Sequence, residues 1–111
     1  MSITGYHAHV YFDENTVLRA QTLCEKARDL FSVKMGRVHR KLVGPHPRWS
    51  CQLAFAPEIF ADIIPWLNLH RDGLVVFVHP ETGDDYTDHS AYAMWLGESQ
   101  QLDLSLFDKP A

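Results

Sequence analysis

Two histidines stand one residue apart, His7 and His9, in the stretch GYHAHVYFD. Successive side chains of an extended chain point to opposite faces. His7, His9 and Tyr11 therefore share one face, and Tyr6, Ala8, Val10 and Phe12 the other. Valine would pack better on such a strand, whereas two imidazoles on one side suit metal ligation or proton transfer. HxH on a strand is moderately specific, weaker than HExxH on a helix. Histidine is abundant throughout, with seven in 111 residues. Five of them, His7, His9, His46, His79 and His89, fall in the compact groups HAH, GPHP, HP and DH.

Convergence of these side chains depends on the elements that carry them. After the first strand, Val17, Ala20, Cys24, Ala27 and Phe31 recur at helical spacing, with Leu23 and Leu30 widening the stripe. Asp13, Asn15 or Thr16 can cap this helix, and Gly36 is a natural stop. RVHRKLV predicts a second strand, GPHPRW a turn, and SCQLAF the returning strand. A second helix starts at Pro57 and buries Phe60, Ile63, Ile64 and Leu67; Pro65 should kink or split it. GLVVFVHP reads as a strand buried on both faces. The tail reads as a polar loop, a helical turn around Ala91 to Leu96, and a leucine-alternating segment. The order β-α-β-β-α-β defines an α+β, ferredoxin-like split βαβ fold with an antiparallel sheet, both helices on one face and a C-terminal extension. One domain spans residues 1–111.

By analogy with that fold, the sheet order is fourth, first, third, second. The first and fourth strands then run antiparallel side by side, and His7 meets His79. Leu74, Val76 and Val78 face the helices, while Val75, Phe77 and His79 join the histidine face. Opposed residues lie about 5 Å apart and same-face neighbours about 7 Å, so three imidazoles can converge on one first-row metal. The competing reading is three hydrogen-bonded histidines that only pack. With imidazole and carboxylate donors and no thiolate, zinc, iron(II), manganese and nickel all remain open. Glu81, Asp84, Asp85 or Asp88 could complete a two-histidine, one-carboxylate set; otherwise ETGDDYTD is a solvated loop. His46, stiffened by Pro45 and Pro47, suits a general acid or base. The hairpin geometry puts it more than about 15 Å from His7 within one subunit. Asp88 or another carboxylate can orient His89, and Tyr11 lines the pocket. His39 and His70 have no such company and read as bystanders.

The remaining composition excludes several classes. A net charge of -4 without a basic run gives no electrostatic case for nucleic acid or anionic membrane. Apolar stretches fall short of the roughly 20 residues of a membrane helix. The first residues show neither a basic start nor an apolar export core, so a cytoplasmic location is expected. Cys24 and Cys51, on a helix face and a strand, read as buried free thiols. The open sheet face, with Val75, Phe77 and Tyr11 on it, predicts a homodimer.

YHAHVYF, GPHP and GLVVFVHPETGDDYTDHSAYAMWLG, in this order and spacing, resemble the DOPA 4,5-dioxygenase family of the small fungal and bacterial type. The resemblance runs from Tyr6 to about Gly97. It implies extradiol cleavage of a catechol such as DOPA by O2 at a non-haem iron(II), which zinc could replace in a purified sample. Carried to this chain, its motif positions are His7, His9, His46, His79 and His89; we assign His7, His9 and His79 to the metal and His46 and His89 to proton transfer or substrate orientation. Arg48 would meet a substrate carboxylate. The alternative is a non-catalytic, dimeric metal- or ligand-binding protein of the same fold.

Overall fold

A computed structural model describes residues 2–109. The chain runs β1 (Gly5–Phe12), α1 (Val17–Leu30), β2 (Val33–His39), β3 (Trp49–Phe55), α2 (Phe60–His70), β4 (Val75–Glu81), α3 (Asp85–Asp88) and β5 (Met94–Leu96). Every strand pair is antiparallel, and the order is β2-β3-β1-β4-β5. The expected four-strand order is present, with β5 added beyond β4.

Alternation along the strands sorts the side chains as the pattern requires. Ala8, Val10 and Phe12 of β1, Cys51, Leu53 and Phe55 of β3, and Val76 and Val78 of β4 all face the helices. Ala20, Leu23, Cys24 and Ala27 of α1 and Ile63 and Leu67 of α2 close this core. Each fully buried leucine or isoleucine contributes about 1.5–3 kcal/mol by leaving water. Cys24 and Cys51 are buried free thiols, and their mutual hydrogen bond pushes the Cys24 thiol up.

Local chemistry sets the element ends. Oδ1 of Asp13 accepts bonds from the Asn15 and Thr16 amides at 2.8 and 3.1 Å, turning the chain from β1 into α1. The helix stops at Leu30, earlier than Gly36. Phe31 is already extended and packs edge-on against Trp66 at 5.5 Å, and Leu30 is 62% exposed rather than core. Gly36 lies instead inside β2, beside a bulge between Met35 and Val38. α2 follows a 3₁₀ turn at Pro57–Ile59 and runs through Pro65 unbroken. Pro65 and Ala61 are both on the exposed side, so the carbonyl that loses its amide partner can be hydrated.

Two differences from expectation shape the site. β2 ends at His39 rather than Val43, so the chain from Arg40 to Arg48 is long enough to fold back over the sheet face opposite the helices. Gly44 makes the turn at φ 53°, and the His46 amide donates to Val43 O at 3.3 Å. After β4 the helical turn comes early, at Asp85–Asp88, because Asp84 accepts bonds from the Thr87 amide and hydroxyl at 3.2 and 2.6 Å. Met94–Leu96, expected as a helical turn, is an edge strand, and Trp95 stacks on Phe77 at 4.8 Å. The leucine-alternating end forms loops and a 3₁₀ turn at Leu104–Leu106. Phe77 is fully buried and Tyr11 2% exposed within one chain. Of the three residues named for a dimer face, Val75 is the one that stays half-exposed.

Candidate metal centre

The β1–β4 register places His7 opposite His79, His9 opposite Phe77 and Tyr11 opposite Val75. One ring nitrogen from each of His7, His9 and His79 lies within 4.8 Å of the others. Nε2 of His9 and Nε2 of His79 are 3.1 Å apart. Their rings are near-parallel at 16°, while His7 stands edge-on to both. Phe77 is the floor, with its ring 5.6 Å from His9 and 5.4 Å from His79.

The two histidines from outside β1 and β4 complete a five-imidazole group. The His46 ring lies 4.2 Å from that of His9, and its Nδ1 is 2.7 Å from the Tyr11 hydroxyl. Its expected separation from the cluster is therefore wrong. The fold-back of the Arg40–Arg48 loop brings it onto the site within the same chain. The tail secures that loop, as the Asp103 amide donates to Pro45 O at 2.9 Å and Nε of Arg48 donates to Gln100 at 3.1 Å. His89 follows α3 and lies 4.0 Å from the His79 ring, with Phe107 stacked on it at 4.5 Å.

Hydrogen-bond partners distinguish the rings. Nδ1 of His79 is 3.0 Å from Pro80 O, and Nδ1 of His89 is 2.7 Å from Asp85 O. A carbonyl only accepts, so both nitrogens carry the proton and both Nε2 atoms keep a lone pair. Nδ1 of His7 is 3.1 Å from the Glu81 carboxylate, an ion-pair contact that favours a proton on that nitrogen. His46 has a phenol at Nδ1; when the phenol donates, Nε2 carries the proton.

The electrostatics suit a cation. Burial, followed by the neighbouring imidazoles, pushes His9 well below the ordinary histidine value. Burial lowers His46 to about 4 and His79 to about 3, and it also lowers His7. Desolvation keeps these rings neutral at pH 7, so their lone pairs are available to a metal. Burial also holds the Tyr11 phenol in its protonated form. Among the carboxylates, Asp88 is spent on the Thr82 amide and hydroxyl at 2.9 and 2.6 Å, and Asp84 caps α3. Asp85 is exposed, while Glu81 reaches the centre. Burial, then Asp85 and Asp88, raises the Glu81 carboxyl.

Of the expected site residues Arg48 lies away from the rings, as do His39 and His70, which were read as bystanders. Arg48 is exposed and lines, with Tyr11, Arg19 and Gln100, a cleft of about 210 Å³. His70 bonds Trp66 O at 2.8 Å and stacks on the Trp66 ring. His39 remains on β2 opposite Ser50. The sequence reading missed Phe107, for which the tail gives no periodic signal. It also missed the contact from Glu81 to His7, although Glu81 lies two residues beyond His79 and so on the same face.

Fold and site together define an α+β protein with three histidines positioned to hold a metal ion. The Dopa 4,5-dioxygenase family model matches residues 6–106, and the chain belongs to that family. It is 31% identical to the DOPA 4,5-dioxygenase of Amanita muscaria over 113 residues, 93% of this chain and 49% of the relative. It is 35% identical to an uncharacterized 21.2 kDa protein of Botryotinia fuckeliana over 114 residues, 92% of this chain and 62% of the relative. The chain thus spans about half to three-fifths of these curated relatives. A crystal structure from Nostoc punctiforme, described as that of a "putative dioxygenase", superposes with a TM-score of 0.90 at 45% identity. That match covers 92% of this chain and 89% of the other.

Proposed function

We propose that this chain is an extradiol ring-cleaving dioxygenase that opens a catechol, such as DOPA, with O2 at an iron(II) held by His7, His9 and His79. The observation that carries the reading is the convergence of those three ring nitrogens within 4.8 Å, flanked by two further histidines. Family membership and the Nostoc structure support it. The donor set fits the group. It is neutral imidazole nitrogen with an adjacent carboxylate and no thiolate, which suits iron(II). When bound, the metal supplies the redox and Lewis-acid chemistry that lets a catechol react with O2.

The chain's own residues handle the protons. His89, protonated at Nδ1 by its bond to Asp85 O, offers Nε2 as the acceptor of a catechol proton. His46, with Nδ1 engaged by the Tyr11 hydroxyl, offers Nε2–H as the donor to developing negative charge on oxygen. Phe77 and Phe107 keep the surroundings apolar. His7 and Glu81, at 28 and 32% side-chain exposure, form the side open to solvent, from which substrate approaches. Arg48, in its own cleft on the Tyr11 side, is the cation that a carboxylate on an extended substrate side chain would meet.

The test is O2 uptake by the iron-reconstituted chain with a panel of catechols. One O2 consumed per yellow semialdehyde formed is the expected result. Metal binding without O2 uptake or coloured product leaves a metal-binding protein without turnover.

A further inference from the structure

We infer that Glu81 is a positioning residue of the metal centre, set against Nδ1 of His7 so that this ring presents Nε2 to the ion. The inference rests on the metal reading above and concerns a carboxylate outside the ligand set.

Glu81 ends β4, opposite Gly5 and two residues past His79, so its side chain returns to the histidine face. Its backbone is fixed, because its carbonyl accepts bonds from the Thr4 amide at 2.9 Å and the Thr4 hydroxyl at 3.1 Å. From there Oε1 lies 3.1 Å from Nδ1 of His7 and 3.5 Å from Nδ1 of His79. His79 has Pro80 O at 3.0 Å as its Nδ1 partner, so its tautomer does not depend on the more distant Glu81. His7 has Glu81 alone among these acceptors and depends on it. The carboxylate sits on the Nδ1 side of both rings, whereas the close approach of His9 and His79 is between Nε2 atoms. That is the arrangement of a carboxylate behind a ligating histidine. It fixes ring and tautomer and raises the basicity of the donor nitrogen.

The whole chain, its Glu81→Ala and Glu81→Gln variants, and His9→Ala as a control are titrated with Co2+ and, by chelator competition, with Zn2+. Glu81→Ala is expected to bind about 10–100-fold more weakly, the usual loss for such a partner. Glu81→Gln, whose amide oxygen still accepts the His7 bond, should lose less, and the Co2+ absorption bands should keep their positions in both. Affinity of both variants within twofold of the unmodified chain would overturn the inference. So would displaced Co2+ bands in both, which would make Glu81 a ligand. If Glu81→Ala does not fold, as read by circular dichroism, Glu81→Leu, which likewise lacks an acceptor, takes its place under the same criteria. Equal binding by the unmodified chain and His9→Ala would instead overturn the metal reading itself.

Discussion

Nε2 of His9 and Nε2 of His79 face each other at 3.1 Å across the β1–β4 pair. His79 is protonated at Nδ1, where Pro80 O accepts, so its Nε2 holds a lone pair. In the metal-free chain His9 must then donate its own Nε2–H, since two facing lone pairs repel. A bound metal ion would take the place of that proton, and a separation near 3 Å suits two neighbouring ligands with bonds of about 2.1 Å.

Removing either partner should therefore remove the metal. His9→Ala and His79→Ala are each expected to lose more than about 100-fold in Zn2+ affinity, beyond the loss caused by an outer-shell change. Equilibrium dialysis with metal analysis measures this. Retention of wild-type metal content by both variants would mean that these histidines only pack.

Stability of the metal-free chain should fall in mild acid. His46 and His79 titrate at about 4 and about 3 when folded, chiefly through burial, against about 6.5 unfolded. Between those values the unfolded chain binds more protons, so stability is complete above about pH 6.5 and declines as pH drops towards the folded values. By pH 5 each histidine withdraws about 2 kcal/mol. Urea midpoints at pH 7.5, 6 and 5 test this, and His46→Gln should flatten the decline. A flat profile for the unmodified chain would contradict the buried, neutral rings.

The Tyr11 hydroxyl, 2.7 Å from His46, should matter for turnover rather than for metal. His46→Gln is expected to lower kcat by about 10²–10⁴ with metal content unchanged. Tyr11→Phe should lower it by about tenfold, the worth of one hydrogen bond. Loss of metal in both variants would place His46 among the ligands.

Arg48 carries a specificity prediction. Arg48→Ala should raise KM about tenfold for catechols that bear a carboxylate, the worth of a charged hydrogen bond, and leave KM for unsubstituted catechol unchanged. Equal effects on both would show that Arg48 acts by tying its loop to Gln100.

Period-two alternation in GYHAHVYFD and GLVVFVHP was sufficient to place His7, His9 and His79 on one face. The strand order implied by β-α-β-β-α-β then brought them together at the observed register. Those contacts depend on backbone pairing between distant strands, which the fold analogy supplied. His46 and His89 behave differently. Both motifs were visible, but their positions depend on loops that no periodicity constrains. Where β2 stops, how the Arg40–Arg48 segment folds back, how Asp103 of the tail holds it, and how Phe107 covers His89 are set by long-range contacts. The sequence by itself determined four strands of the sheet, their core face and three converging imidazoles, because alternation is local and repetitive and the element order fixes which strands pair. Only the tertiary structure decided that His46, His89 and Glu81 join them, because a loop's course is chosen by the surface it covers.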